Sequence, residues 1–272
     1  MSQLAATVRG TGPKIGDFSR VLRGEGTKLA SFQGTRIGLL LALVGGALGS
    51  VAFAATVRLT RGVDATQLSD LERLQISMLG ADIANIVMII VGILFVFGEK
   101  SSGMIRTSLS LSPRRIMYMF GKVLVLFIPS VIVSVVICWL AHLSGRLVFA
   151  VLGAHMYPIS DPHVQRIIWG TSLMIPFYVL LAAALGFVFR SGIVAFLGVF
   201  LVMCLPTLSS ILPSAAERAV QWILPAPVMH SLSGAAQPGE VEYTSPMAAA
   251  VLLVWVVVFL GVAAVIFRRS DF

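Results

Sequence analysis

Six long apolar runs, at residues 37–57, 76–97, 116–140, 167–189, 193–212 and 247–267, constrain this chain more than any other feature. Each approaches or exceeds the roughly 20 apolar residues that a helix needs to cross the hydrocarbon core of a bilayer. Lipid offers backbone polar groups no partners, so such runs satisfy their own hydrogen bonds as helices. The predicted fold is therefore an all-α integral membrane protein with six transmembrane helices. Only 12% of the residues are charged, and most of them lie between the runs, which leaves no material for a soluble enzyme domain. The chain divides into one transmembrane domain, 1–272: a polar N-terminal segment (1–35), the six-span part (36–267) and a short basic tail (268–272).

Basic residues set the expected orientation. With both termini inside, the Lys and Arg assigned to the inner loops outnumber the outer ones by more than two to one, as the positive-inside rule requires. The expected location is a bacterial plasma membrane, multi-pass, with both termini cytoplasmic. The net charge of +8 then follows from cytoplasmic loops. It is no nucleic-acid signature, because no basic patch is interleaved with exposed aromatics.

The connection between the second and third runs, residues 98–115, reads GEKSSGMIRTSLSLSPRR. Ser101 and Ser102 can cap a short helix, and Pro113 stops it. Met104, Ile105, Leu109 and Leu111 give that helix an apolar side. An apolar ridge in the cytosol needs a cover, either lipid headgroups or a protein. The wording of this stretch resembles the segment between the second and third spans of type-2 ABC transporter permeases. In that family it is the coupling helix, seated in a groove of the ATPase subunit. Glu99, Ser102, Gly103, Ile105, Arg106 and Pro113-Arg114-Arg115 carry the match, and Leu109 lies on the same apolar side.

Two further stretches are similar to the same family. Residues 15–32 have helical apolar spacing with Arg20, Arg23 and Lys28 among them, which predicts an amphipathic helix on the membrane surface. Gly24 and Gly26 weaken it, so a break is expected there. Its Glu25, Lys28 and Leu29 resemble the E-x-x-K-L segment before the family's first span. Residues 213–232 are too short and too broken to span. Ala216, Ala219, Val220 and Ile223 make a small apolar face, Trp222 suits the membrane interface, and Pro225 and Pro227 end the segment. This resembles the outer re-entrant segment of such permeases and suggests an external gate.

The resemblance implies an exporter permease that works with separate ABC ATPase subunits and a second permease subunit, identical or not, among membrane lipids. It implies no cofactor in this chain, and ATP and Mg in the partner ATPase. The cargo would be amphipathic or lipophilic: a drug, an antimicrobial peptide or a lipid-like molecule. The sequence supplies no G-x-x-x-x-G-K-[ST] phosphate loop of its own. The main rival is an ion-coupled secondary transporter, which usually spends several intramembrane charges and shows repeat halves. An intramembrane hydrolase would need Ser172 of Gly170-Thr171-Ser172 to meet a base, with His142 the loose candidate.

Three smaller features leave alternatives open. Gly38, Ala42, Gly46 and Ser50 recur every fourth residue, for packing within the chain or a dimer seam. Cys138 and Cys204 lie in apolar runs and read as buried small hydrophobes. Asp82 and Asn85 share one face of the second run. A carboxylate at mid-bilayer costs about 2.5–3.5 kcal/mol. Asp82 is therefore expected to be protonated, to pair with Arg58 or Arg73, or to face a wet translocation path beside Asn85.

Overall fold

The computed structural model describes residues 15–105, 115–235 and 243–270, the side chains of residues 15–17 excepted. The described residues form helices and connecting turns, with no strand among them. In chain order the helices are α1 (Ile15–Ser31), α2 (Gln33–Ala55), α3 (Val57–Arg61), α4 (Asp70–Ser101), α5 (Arg115–Val151), α6 (Pro162–Thr171), α7 (Met174–Val188), α8 (Gly192–Ser209), α9 (Ser214–Gln221), α10 (Pro225–Ser233) and α11 (Ser245–Arg269). Six helical stretches are long and apolar enough to cross a membrane: α2, α4, α5, α6 with α7, α8 and α11. This is a multi-pass membrane architecture in which α1 and the end of α11 both pack beside the start of α5.

α4 is the central helix and packs on α2, α5, α7 and α8. Its start is fixed by a capping box, in which Ser69 Oγ accepts from the Glu72 N–H and the Glu72 carboxylate accepts from the Ser69 N–H. Each partner satisfies a donor that the helix cannot. α2 reaches α4 through its small residues. A Cβ on Gly80 would overlap the Gly46 carbonyl oxygen, and Ser50 Oγ donates to the Ser77 carbonyl. Gly38, Ala42, Gly46 and Ser50 are all buried, so the stripe is used within the chain.

Three expectations are corrected. α1 runs through Gly24 and Gly26 without a break. α5 continues to Val151, well past the end of the run 116–140, so the connection to the next run shrinks to residues 152–161. Its extra turns are held by Phe149, fully buried among Ala54, Val57, Leu68 and Ile76. Pro225 opens a helix instead of ending one, with its missing N–H placed where no helical partner exists. The fourth run also divides into α6 and α7, one turn before Pro176, whose ring removes the bond to the Ser172 carbonyl.

Candidate functional site: a buried charge cluster at the end of the bundle beside α1

At this end, α1 lies across the start of α5 and turns Glu25 inward. Glu25 is 3% exposed, Glu99 of α4 is 7% exposed and Lys122 of α5 is fully buried. Lys122 Nζ donates to Glu25 Oε2 (2.7 Å) and to Glu99 Oε1 (2.8 Å). Lys28 Nζ reaches Glu25 Oε1 (2.7 Å) and Glu99 Oε1 (3.0 Å). The Tyr118 hydroxyl donates to Glu99 Oε2 at 2.5 Å. Among the described residues, two carboxylates therefore meet two ammonium groups, and their charges cancel.

Neutrality and saturation make such burial tolerable, because an unpaired charge in an apolar interior would lose several kcal/mol of hydration. Lys122 also lies 4.1 Å above the centre of the Phe95 ring, a cation–π contact. At Lys28, burial opposes the charge. The hydrogen bonds and charges of Glu25 and Glu99 outweigh it and hold the Lys28 pKa above the ordinary lysine value.

The network extends from there to the other helices. Lys100, next in sequence to Glu99, turns the opposite way. Its Nζ donates to the carbonyls of Gly186 (2.9 Å), Phe187 (2.6 Å) and Phe189 (3.3 Å) at the end of α7. Those carbonyls lack helical partners, and the cation complements the negative end of the helix dipole. Tyr118 stacks on Phe267 of α11 with ring centres 6.1 Å apart. Arg115 donates to the carbonyls of Arg268 and Ser270 beyond it. Both stems of the 102–114 connection are thus tied into one network that touches α1, α5, α7 and α11.

The other residues expected on the connection fall out as follows. Ser102 Oγ donates to the Gly98 carbonyl (2.8 Å), which closes α4. Gly103 has φ +73°, a left-handed turn that a side chain resists, and so the chain leaves the helix here. Ile105 is 3% exposed and joins the main core, whereas Met104 is exposed. The expected solvent-facing ridge therefore does not include Ile105. Arg106, Leu109 and Leu111 lie outside the described residues. Leu29 packs against the main core from α1.

The far end differs. Asp82 lines two cavities, of about 190 and 950 Å³. Asn85 lines neither; it is fully buried, and its side-chain amide has no hydrogen-bond partner. The expected basic partners are engaged elsewhere: Arg58 with Asp64, and Arg73 with Asp70 and loop carbonyls. α9 presents Glu217, Arg218 and Gln221 to the larger cavity. Ala219 is exposed and Trp222 packs edge-on against Tyr243, so neither lines it. His142 is fully buried with neither ring nitrogen hydrogen-bonded, and Ser172 Oγ donates to the Trp169 carbonyl, so the two form no nucleophile–base pair.

Tyr118, Lys122 and His230 were not singled out as site residues from the sequence. Lys122 carries a signal there: it is the only charged residue in the run 116–140, and a lone lysine inside a span needs a partner. No family model matches the chain, and a search among curated proteins finds no match.

Proposed function

We propose that this chain is the membrane-spanning permease subunit of an ATP-driven exporter of the type-2 ABC class. The observation that supports it most is the wiring of the 102–114 connection. A push on that loop reaches Glu99 and Lys100, which grip different helices. Glu99 is held by α1 and α5, and Lys100 by the end of α7. Charges paired in an apolar surrounding resist separation, so the joined helix ends move together. In this reading the cluster end faces the cytoplasm of a bacterial cell, and a separate ABC ATPase, holding ATP and Mg, docks on residues 99–111. A second permease subunit completes the pathway, and the cargo is amphipathic or lipophilic. The 213–232 segment closes the outer mouth, with Glu217, Arg218 and Gln221 as its cavity side.

The test is a pull-down of the tagged full chain from its own membranes, followed by mass spectrometry. A subunit with a P-loop should co-purify. Met104→Asp, at an exposed position of the connection, should lower its recovery at least about five-fold while the chain remains in the membrane. Two results would overturn the reading. One is recovery of no P-loop subunit. The other is uptake into proteoliposomes driven by an ion gradient without nucleotide, which is the behaviour of a secondary transporter.

A further inference from the structure

The far-end cavities are the largest feature that the cluster does not explain. They share Asp82, Met174 and His230, so they are two lobes around one carboxylate. Asp82 is half-buried, and within the described residues it makes no hydrogen bond or ion pair. The basic groups around it are committed or peripheral. Arg61 faces Glu72 at 4.0 Å, Arg166 donates to the carbonyls of Ser231 and Leu232, and Arg218 is exposed on α9. His230 lines both lobes beside it. A carboxylate within an apolar span calls for water or a cation.

The walls indicate the kind of cation. Met78, Met174 and Met229 line the smaller lobe, and Met174, Met203 and Tyr178 line the larger. Methionine is flexible and polarisable and adapts to apolar shapes, and an aromatic ring attracts a positive charge at its face. The larger lobe alone, about 950 Å³, falls in the range of small-molecule sites, roughly 300–1,000 Å³. A bare metal ion fits poorly. The described residues contain no group of three His, Cys, Asp or Glu that could hold one, and hard cations require several oxygen ligands.

We propose that this cavity binds a lipophilic monocation, with its charge on Asp82 and its apolar body among the methionines. As a cargo site this rests on the transport reading above; as a binding site it does not.

The experiment uses the purified full chain in detergent, without ATPase or nucleotide. Binding of tetraphenylphosphonium is measured by equilibrium dialysis, with tetraphenylborate as an anion of the same shape. The native chain should bind the cation saturably. Asp82→Asn should weaken binding at least about ten-fold, Asp82→Glu should keep most of it, and Asp64→Asn, an exposed acid outside both lobes, should change it less than about two-fold. Tetraphenylborate should not compete. Any one of these results overturns the site: no saturable binding, equal binding by Asp82→Asn, loss in Asp82→Glu as well as Asp82→Asn, an Asp64→Asn loss as large as that of Asp82→Asn, or competition by the anion. Failure here leaves the ATPase pull-down untouched, and failure of the pull-down leaves this site untouched.

Discussion

The two ends of the bundle handle buried charge in opposite ways. At the end beside α1, Glu25, Lys28, Glu99 and Lys122 are interlocked, with each of these carboxylates facing an ammonium group. At the far end Asp82, a carboxylate within a membrane helix, borders open space. The first arrangement leaves nothing for a ligand to satisfy and joins helices to one another. The second leaves one unmet charge and joins no helices. A saturated network suits the transmission of movement, and an unsaturated group suits recognition.

The comparison breaks first at Lys122. Lys122→Met removes a fully buried ammonium and leaves Lys28 as the one described cation on Glu25 and Glu99. Breaking one side of a buried pair costs about 3–5 kcal/mol, so the variant should fail to accumulate in the membrane or should unfold at a much lower temperature. Adding Glu99→Gln should recover at least about half of the loss, because it removes a carboxylate that the first change stranded. Fluorescence-detected size exclusion and thermal unfolding in detergent would report both. A single variant as stable as the native chain would mean that the cluster does not hold the helices together.

How far this contrast is legible in the sequence depends on the distance each feature spans. The six membrane helices follow from local hydropathy, and the stop of α4 at Gly103 follows from one residue's backbone freedom. Glu25, Lys28 and Glu99 stand out by their motifs, but a motif does not say which way a side chain points. Lys122 bonds Glu25 across 97 positions, a separation that no local pattern encodes. The last turns of α5 are amphipathic and are fixed by Phe149 packing under α3, so their helical state is a tertiary outcome. Asp82 is conspicuous as an acid in an apolar run. That Asn85 points away from its cavity depends on helix rotation, which the three-residue spacing leaves open.

Asn85 gives a smaller effect of opposite sign. It is a polar group buried without a partner, so it should share neither the binding of Asp82 nor the coupling of Lys122. An unsatisfied buried amide costs about 1–3 kcal/mol. Asn85→Leu, similar in volume, should therefore be as stable as the native chain or more stable by about 1 kcal/mol, with cation binding unchanged. A clear fall in unfolding temperature would show that the amide holds a water or a neighbour. A loss of binding would place it back beside Asp82.

Lys28 should give the smallest effect, because it is the most exposed member of the cluster, with 32% of its side chain accessible. Partly exposed pairs contribute about 1 kcal/mol or less, so Lys28→Met should cost a fraction of what Lys122→Met does. Its pH dependence separates pairing from packing. Burial alone would lower the Lys28 pKa, but the hydrogen bonds and charges of Glu25 and Glu99 raise it above the ordinary value, about 10.4. For a cation with a raised folded pKa, the stabilisation is complete below the unfolded value and disappears as pH rises through the folded one. The gap in unfolding temperature between the native chain and Lys28→Met should therefore stay level from pH 7 to about pH 10 and narrow only above that. A gap that changes between pH 7 and 9 would point to another titrating group, and a gap unchanged to pH 12 would assign the contribution of Lys28 to its methylene stem instead of its charge.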